Sequence, residues 1–367
     1  MRRFLAIATT LCMSVMVCLP VFAHMPGTSD QADMPMTAAS RQQLLDSLIK
    51  EVNNSYVFPD LAKKVDLFLR EQQQRGAYRT ITSAQQLSEA LTRDLQGVTK
   101  DKHLRVMYSE KAIPLNKPDG RRTPEEVASQ LARMRYGNFG VEKIEHLPFN
   151  IGYLELAGFA PANDAANTLA AAMAVLAHTD ALIIDLRKNG GGDAATVALL
   201  AGYLFDTRAH LNDFYDRKGS RTEQRCTSEV MPALRYGVQK DVYILTSKDT
   251  FSAAEDFTYA LKNMKRVTVV GETTGGGANA GDDFRLLPNF SAFVPYSRVI
   301  SPITQTNWEA VGVTPDVGVS ADDALKTAQA AILKKMATAE KDSARLGRLK
   351  DRIVEVLGAN IGRSPVP

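Results

Sequence analysis

An α/β fold behind a helical domain is what the sequence predicts, on three observations. Two short apolar runs, residues 181–186 and 242–247, have the length and uninterrupted hydrophobicity of buried parallel strands, and each leads into a turn and a helix start. The second run, a helix from Ser252 to Met264 and a further apolar segment at residues 267–270 read as one βαβ unit. By contrast, residues 39–96 carry only helical periodicity.

Taken in order, residues 1–23 read as a signal peptide. Arg2 and Arg3 give the charged start, residues 5–21 are mostly apolar, and Val21, Phe22 and Ala23 suit cleavage after Ala23. The apolar stretch is short and broken by Thr9, Thr10 and Pro20, which argues against a membrane anchor, and bulky Val17 before Cys18 argues against lipidation. The expectation is an exported protein, periplasmic or extracellular. Residues 24–37 have no periodicity and read as a disordered leader. Residues 38–98 form the helical domain, with stripes at Leu44, Leu45, Leu48 and Ile49, at Leu61, Val65, Leu67 and Leu69, and at Leu87, Leu91 and Leu95, the third helix capped by Ser83.

Residues 99–320 are the expected α/β core. Residues 104–108 alternate like a strand, 109–122 form a loop, and Thr123-Pro124 opens a helix. A strand pair near 141–156, a helix over 161–177, the strand at 181–186 and a helix over 194–205 follow. Residues 206–239 suit a hairpin and loop, and 282–304 short antiparallel strands. Residues 321–367 hold two charged helices, near 321–338 and 341–357, and a tail.

The formal charge is +3, and removing residues 1–23 takes away Arg2 and Arg3 and no acid, leaving +1. That balance gives no reason to expect a nucleic-acid partner. Cys12 and Cys18 leave with the signal peptide, so Cys226 stands alone and the mature chain can form no internal disulfide. Neither H-E-x-x-H nor C-x-x-C occurs, and no metal cluster stands out.

The chemistry centres on the two turns. Gly190-Gly191-Gly192 brings bare backbone amides close to any bound oxygen, and Ser252 sits at a helix N-terminus, where developing negative charge is favoured. Ser252-x-x-Glu255 is also a capping box, so the hydroxyl could serve only its own helix, unless Thr250 caps and leaves it free. On the functional reading, amides of Gly190, Gly191 and Ala253 form an oxyanion hole. Gly275, Gly276 and Gly277 make a second glycine turn that either is a plain loop or borders a substrate groove. Of the five histidines, His24, His146, His178 and His210 read as ordinary residues, while His103 lies where the helical domain meets the core, as a base would. Glu309, beside the only tryptophan, is either a surface acid or the group that orients the imidazole.

These segments resemble peptidase family S41, the tail-specific or C-terminal-processing proteases. The shared patterns are D-L-R-x-N-x-G-G at 185–192, T-x-S-A-x-E at 250–255, V-G-E-x-T-x-G at 270–276 and G-V-x-P-D at 312–316. The chain is most similar to the branch of the interphotoreceptor retinoid-binding proteins, through Tyr56-Val57-Phe58-Pro59-Asp60, Gly76-Ala77-Tyr78 and Asp101-Lys102-His103-Leu104. The resemblance implies a ClpP/crotonase-like core of βαβ units and cofactor-free serine peptidase chemistry with Ser252 as nucleophile. The processing proteases carry a lysine base in the second glycine turn, and here Gly275-Gly276-Gly277-Ala278-Asn279 has none; Lys262 and Lys265 do not match it. The tricorn-like branch uses Ser, His and Glu, and His103 and Glu309 fall at comparable places. Roughly 45 residues separate His103 from the core strands, too few for an inserted PDZ domain. The expectation is an exported peptidase acting on peptides through an acyl-enzyme; the alternative is a carrier of hydrophobic ligands, retinoid- or fatty-acid-like, on the same fold.

Overall fold

The computed structural model describes residues 31–114, 123–229 and 231–358. The expected signal peptide, the leader as far as residue 30, part of the loop at 109–122 and the last tail residues lie outside them.

Helices α1 (Ala38–Ser55), α2 (Pro59–Gln74) and α3 (Ala84–Thr99) build the N-terminal domain. Thr37 and Ser40 close a capping box on α1, Pro59 starts α2, and Ser83 Oγ accepts the Gln86 amide at 3.0 Å to cap α3. The stripes are buried as expected except at Leu61, which is half-buried, and Leu67, which is 71% exposed. Leu67 lies two residues from both Val65 and Leu69, which places it on the opposite side of the helix. The last residues of the expected leader are docked, not disordered. Met36 is buried and donates its amide to Thr82 O at 2.8 Å, and Met34 O accepts from Ala84 N at 3.0 Å.

The domain packs on a five-stranded sheet rather than closing on itself. Strand β1 (Arg105–Tyr108) pairs antiparallel with the first half of β10 (Phe290–Ile300), and β5 (His210–Asp216) with its second half. Strand β9 (Asn279–Leu287) runs along the other edge of β10, and β6 (Arg221–Cys226) extends β5. The short strands expected over 282–304 are thus one long hairpin. Leu44, Leu48, Leu69, Leu91 and Leu95 share a cluster with Leu104, Val106, Phe290, Ala292 and Val294, so by packing these strands belong with the helices. Each such side chain contributes at most about 1.5–3 kcal/mol.

The second sheet has six strands, in the order β11 (Val317–Gly318), β8 (Thr268–Gly271), β7 (Asp241–Thr246), β4 (Ala181–Asp185), β3 (Ile151–Leu156) and β2 (Val141–Leu147). All neighbouring pairs are parallel except β2 with β3. Its inner strands β3, β4, β7 and β8 are mostly apolar because both faces are covered, whereas the edge strand β2 carries exposed Glu142, Lys143 and His146. Leu182 and Ile184 face α5 (Ala162–Leu176), α6 (Ala194–Gly202) and α7 (Ala253–Asn263). Ala181 and Ile183 face α8 (Ala321–Ala339) and α9 (Ser343–Val356), so the C-terminal helices are a layer of the core. Between β1 and β2 the longest described element is α4 (Pro124–Tyr136), which buries none of its residues. The site lies where the C-terminal ends of β4 and β7 meet the chain entering β1 and β9.

Candidate active site

The two signature turns are laced together. At the end of β4 the Asp185 carboxylate takes Tyr153 OH at 2.7 Å and the Arg187 guanidinium at 2.5 and 2.9 Å, and Arg187 Nη1 reaches Ala321 O at 2.7 Å. Asp185 and Arg187 are therefore struts. From the turn after β7, Ser247 Oγ donates to Arg187 O at 2.5 Å, Thr250 Oγ1 to Leu186 O at 2.8 Å, and Phe251 N to Asn189 O at 3.0 Å. Thr250 is thus spent on the neighbouring turn and does not cap α7. Gly191, at φ +108°, is required by proximity, since a Cβ there would lie 2.7 Å from Ser252 Cβ.

Ser252 is partly exposed at the N-cap of α7 with φ 55° and ψ −118°, a conformation that only surrounding structure can hold in a residue other than glycine. Its amide donates to Glu255 Oε2 at 2.9 Å. Its side chain stands over the Glu255 amide as in a capping box, but without a hydrogen bond of normal geometry. Among the described residues neither Ala253 N nor Gly190 N has an acceptor. Gly191 differs from expectation: its amide donates to Asn189 Oδ1 at 2.9 Å, because Asn189 is fully buried and its side chain folds back to fix the turn, with Nδ2 on Leu156 O at 2.9 Å. The oxyanion donors this geometry leaves free are Gly190 and Ala253.

His103 follows α3, whose C-cap Lys100 turns the chain at φ 62°. The Asp101 carboxylate accepts the His103 amide at 3.0 Å, Tyr56 OH at 3.1 Å and Asn279 Nδ2 at 2.9 Å. The imidazole lies between Phe251, 4.6 Å away between ring centres, and Phe293 at 5.6 Å. Nδ1 is enclosed and has no partner; Nε2 is not among the enclosed atoms. Burial, then the Arg105 charge, lowers the pKa of His103 to about 4, so the ring is neutral near pH 7.

Glu309 holds the second glycine turn. Its Oε2 accepts Ala278 N at 2.6 Å and Asn279 N at 3.1 Å, while Oε1 is enclosed and unpartnered. Burial, then the Asp101 charge, raises its pKa to about 8. Trp308 Nε1 donates to Gly277 O at 2.8 Å, and a Cβ at Gly277 would lie 2.7 Å from His103 Cε1. One ligating atom each of Asp101, His103 and Glu309 lie within 4.8 Å of one another. Ser252 joins this group through its neighbour Phe251; no hydrogen bond links Ser252 to His103, or His103 to Glu309.

Three contributors escaped the sequence reading of roles. Asn189 and Asp101 lie inside quoted motifs but act as buried acceptors. Glu255, read as a cap, is a hub: its carboxylate also takes Thr274 Oγ1 at 2.5 Å, Gly276 N at 2.7 Å and Gly277 N at 2.8 Å. Two lysines have partners of their own. Lys262 pairs with Asp316 at 2.6 Å, and Lys102 Nζ donates to Gly275 O at 2.5 Å. Of the other histidines described, His146 bonds Asn150, His210 bonds Asp213, and His178 is exposed.

Residues 150–319 match peptidase family S41, and residues 33–135 match the N-terminal domain of Peptidase_S41 in eukaryotic IRBP. The chain belongs to peptidase family S41. It is 32% identical over 177 residues to carboxyl-terminal-processing peptidase 2, chloroplastic, of Arabidopsis thaliana, a match covering 45% of this chain and only 31% of that protein's length. Among solved structures it is similar to a candidate peptidase from Parabacteroides merdae, with TM-score 0.52 and 20% identity over 76% of this chain and 90% of that one. It is also similar to a lipoprotein from Streptococcus agalactiae, with TM-score 0.53 and 14% identity over 83% of this chain and 100% of that one. The expected fold, an S41 core of βαβ units behind a helical domain, is borne out.

Proposed function

We propose that this chain is an exported serine peptidase that hydrolyses peptide bonds through an acyl-enzyme. His103 Nε2 takes the Ser252 proton as Oγ attacks the peptide carbonyl. The amides of Ala253 and Gly190 hold the oxyanion, each such donor being worth about 10²–10³ in turnover. His103 then protonates the leaving amine, and water releases the acyl group by the reverse sequence. Glu309 accepts Nδ1–H and stabilises the imidazolium, which requires its carboxyl to be ionised. Peptide segments would enter along Gly275, Gly276 and Gly277.

The observation that carries this reading is the Ser252 backbone. Strain at φ 55° has no use in a serine that only caps a helix, and here it sets the Ser252 Cβ against Gly191, next to an Ala253 amide that no acceptor takes. Family membership supports peptide substrates. The carrier reading finds no specific support: a cavity of about 850 Å³ beside α1 has Phe284 and Tyr296 in its wall, but Glu51, Asp216, Arg217, Lys218 and Asp282 line it as well, so it is no continuous apolar pocket for a retinoid or acyl chain. Treatment with a fluorophosphonate tests the proposal. Labelling that vanishes in Ser252→Ala is expected. An unlabelled wild type that neither cleaves casein nor processes peptides would overturn it.

A further inference from the structure

The cluster behind the imidazole has an imbalance that the peptidase reading does not use. Asp101, His103 and Glu309 bring atoms able to bind a cation close together, yet no hydrogen bond links any of the three side chains to another. Asp101 spends three of its roughly four lone-pair positions on the His103 amide, Tyr56 and Asn279. Glu309 Oε1 and His103 Nδ1 are both enclosed without a partner, and His103 is 6% exposed. Buried polar atoms without a partner are costly, and two of them here face the same small cluster.

We propose that Asp101, His103 and Glu309 bind one divalent transition-metal cation, zinc by their chemistry, and that its binding withholds the imidazole from Ser252 and keeps the peptidase inactive. One imidazole and two carboxylates form a borderline-hard set that suits zinc, with a fourth position left for water. The three ligating atoms lie within 4.8 Å of one another, and a tetrahedron with bonds of about 2.1 Å has edges of about 3.4 Å, so rotamer-scale contraction closes the site. The shell around it is built. Tyr56 and Asn279 orient Asp101, and the amides of Ala278 and Asn279 fix the far oxygen of Glu309. With the cation on Nδ1, the remaining ring proton stays on Nε2, so that nitrogen is a donor and cannot accept the hydroxyl proton. The inhibitory consequence rests on the peptidase reading above; the binding does not.

Isothermal titration of the metal-free protein with zinc chloride, and the visible spectrum of a cobalt(II) titration, test the site without using activity. One equivalent should bind in the wild type and equally in Ser252→Ala and His210→Ala, and binding should be lost in His103→Ala and in the nearly isosteric Glu309→Gln, whose folding is checked by circular dichroism. No binding by wild type, or undiminished binding by a folded Glu309→Gln, overturns the proposal. Fluorophosphonate labelling should slow along the same isotherm, by about 100-fold at free zinc of 100 Kd. Labelling that is indifferent to bound zinc overturns the inhibitory role. A wild type that binds zinc but never labels refutes the peptidase reading and leaves the metal site standing.

Discussion

Replacing Glu309 by Gln removes one ionisation from an enclosed site with little change of shape, and its effect on stability can be worked out. Burial and Asp101 raise the Glu309 pKa from 4.5 to about 8, so the folded chain keeps a proton that the unfolded chain releases. The stability this provides is complete below about pH 4.5 and is lost as pH rises to about 8. His103 has the opposite sign: lowered from 6.5 to about 4, it refuses a proton that the unfolded chain accepts, so stability is gained as pH rises from about 4 to 6.5. The two slopes oppose each other below pH 6.5, where buried Asp256, raised to about 6, also titrates. Above it, of these three, Glu309 acts alone. At about 1.4 kcal/mol per pH unit, wild type should lose about 2 kcal/mol between pH 6.5 and 8. Urea unfolding at the two pH values measures this. Glu309→Gln should flatten the slope, and that comparison decides the matter, because Asp101 and Glu255 are also raised by burial and share the sign. A wild type equally stable at both values, or a variant that keeps the slope, would refute the reasoning.

Two further substitutions probe the frame of the site. Glu255→Gln exchanges one acceptor oxygen for an amide donor facing the N–H groups of Ser252, Gly276 and Gly277; with at least one left unpaired, thermal unfolding should report a loss of about 1–3 kcal/mol, together with reduced labelling of Ser252. Gly277→Ala places a Cβ 2.2 Å from Phe251 Cζ and 2.7 Å from His103 Cε1, so labelling should fall by about 100-fold through displacement of the imidazole, whereas Gly347→Ala, with nothing within 4 Å, should leave labelling alone and stabilise α9 by up to about 1 kcal/mol.

The middle of the six-stranded sheet was legible because burial on both faces leaves β4 and β7 nearly apolar throughout, a pattern that survives in one dimension. The helical stripes were legible by the same token, and Leu67 failed because counting leucines is not the same as counting angles. Nothing local told that residues 279–300 form one hairpin, or that it joins the helices to the core, since pairing partners such as Phe293 and Arg105 are far apart in sequence. At the site, residue types were legible and their duties were not. Ser252, His103 and Glu309 were singled out as candidate catalytic residues, but an S-x-x-E pattern looks the same whether the glutamate caps one helix or also gathers a distant glycine turn. The Asn189 side chain was equally invisible as the acceptor that removes Gly191 from the oxyanion hole, because that bond depends on a turn geometry set by Leu156 and Phe251.

The same two residues explain why stability and turnover should move in opposite directions with pH. Near pH 7 the site holds a neutral imidazole and a protonated Glu309, each favoured by burial and neither able to complete a triad, since the acid must be charged to support an imidazolium. Removing the Glu309 proton creates that support and at the same time places a second negative charge beside Asp101, which costs the fold about 2 kcal/mol. A rate of Ser252 labelling that climbs through about pH 8, with Glu309→Gln slow and without that limb, would show one proton controlling both quantities. A rate that instead levels off near 6.5, as an ordinary exposed histidine would give, would mean that the enclosed cluster opens before catalysis and that the imidazole works in solvent.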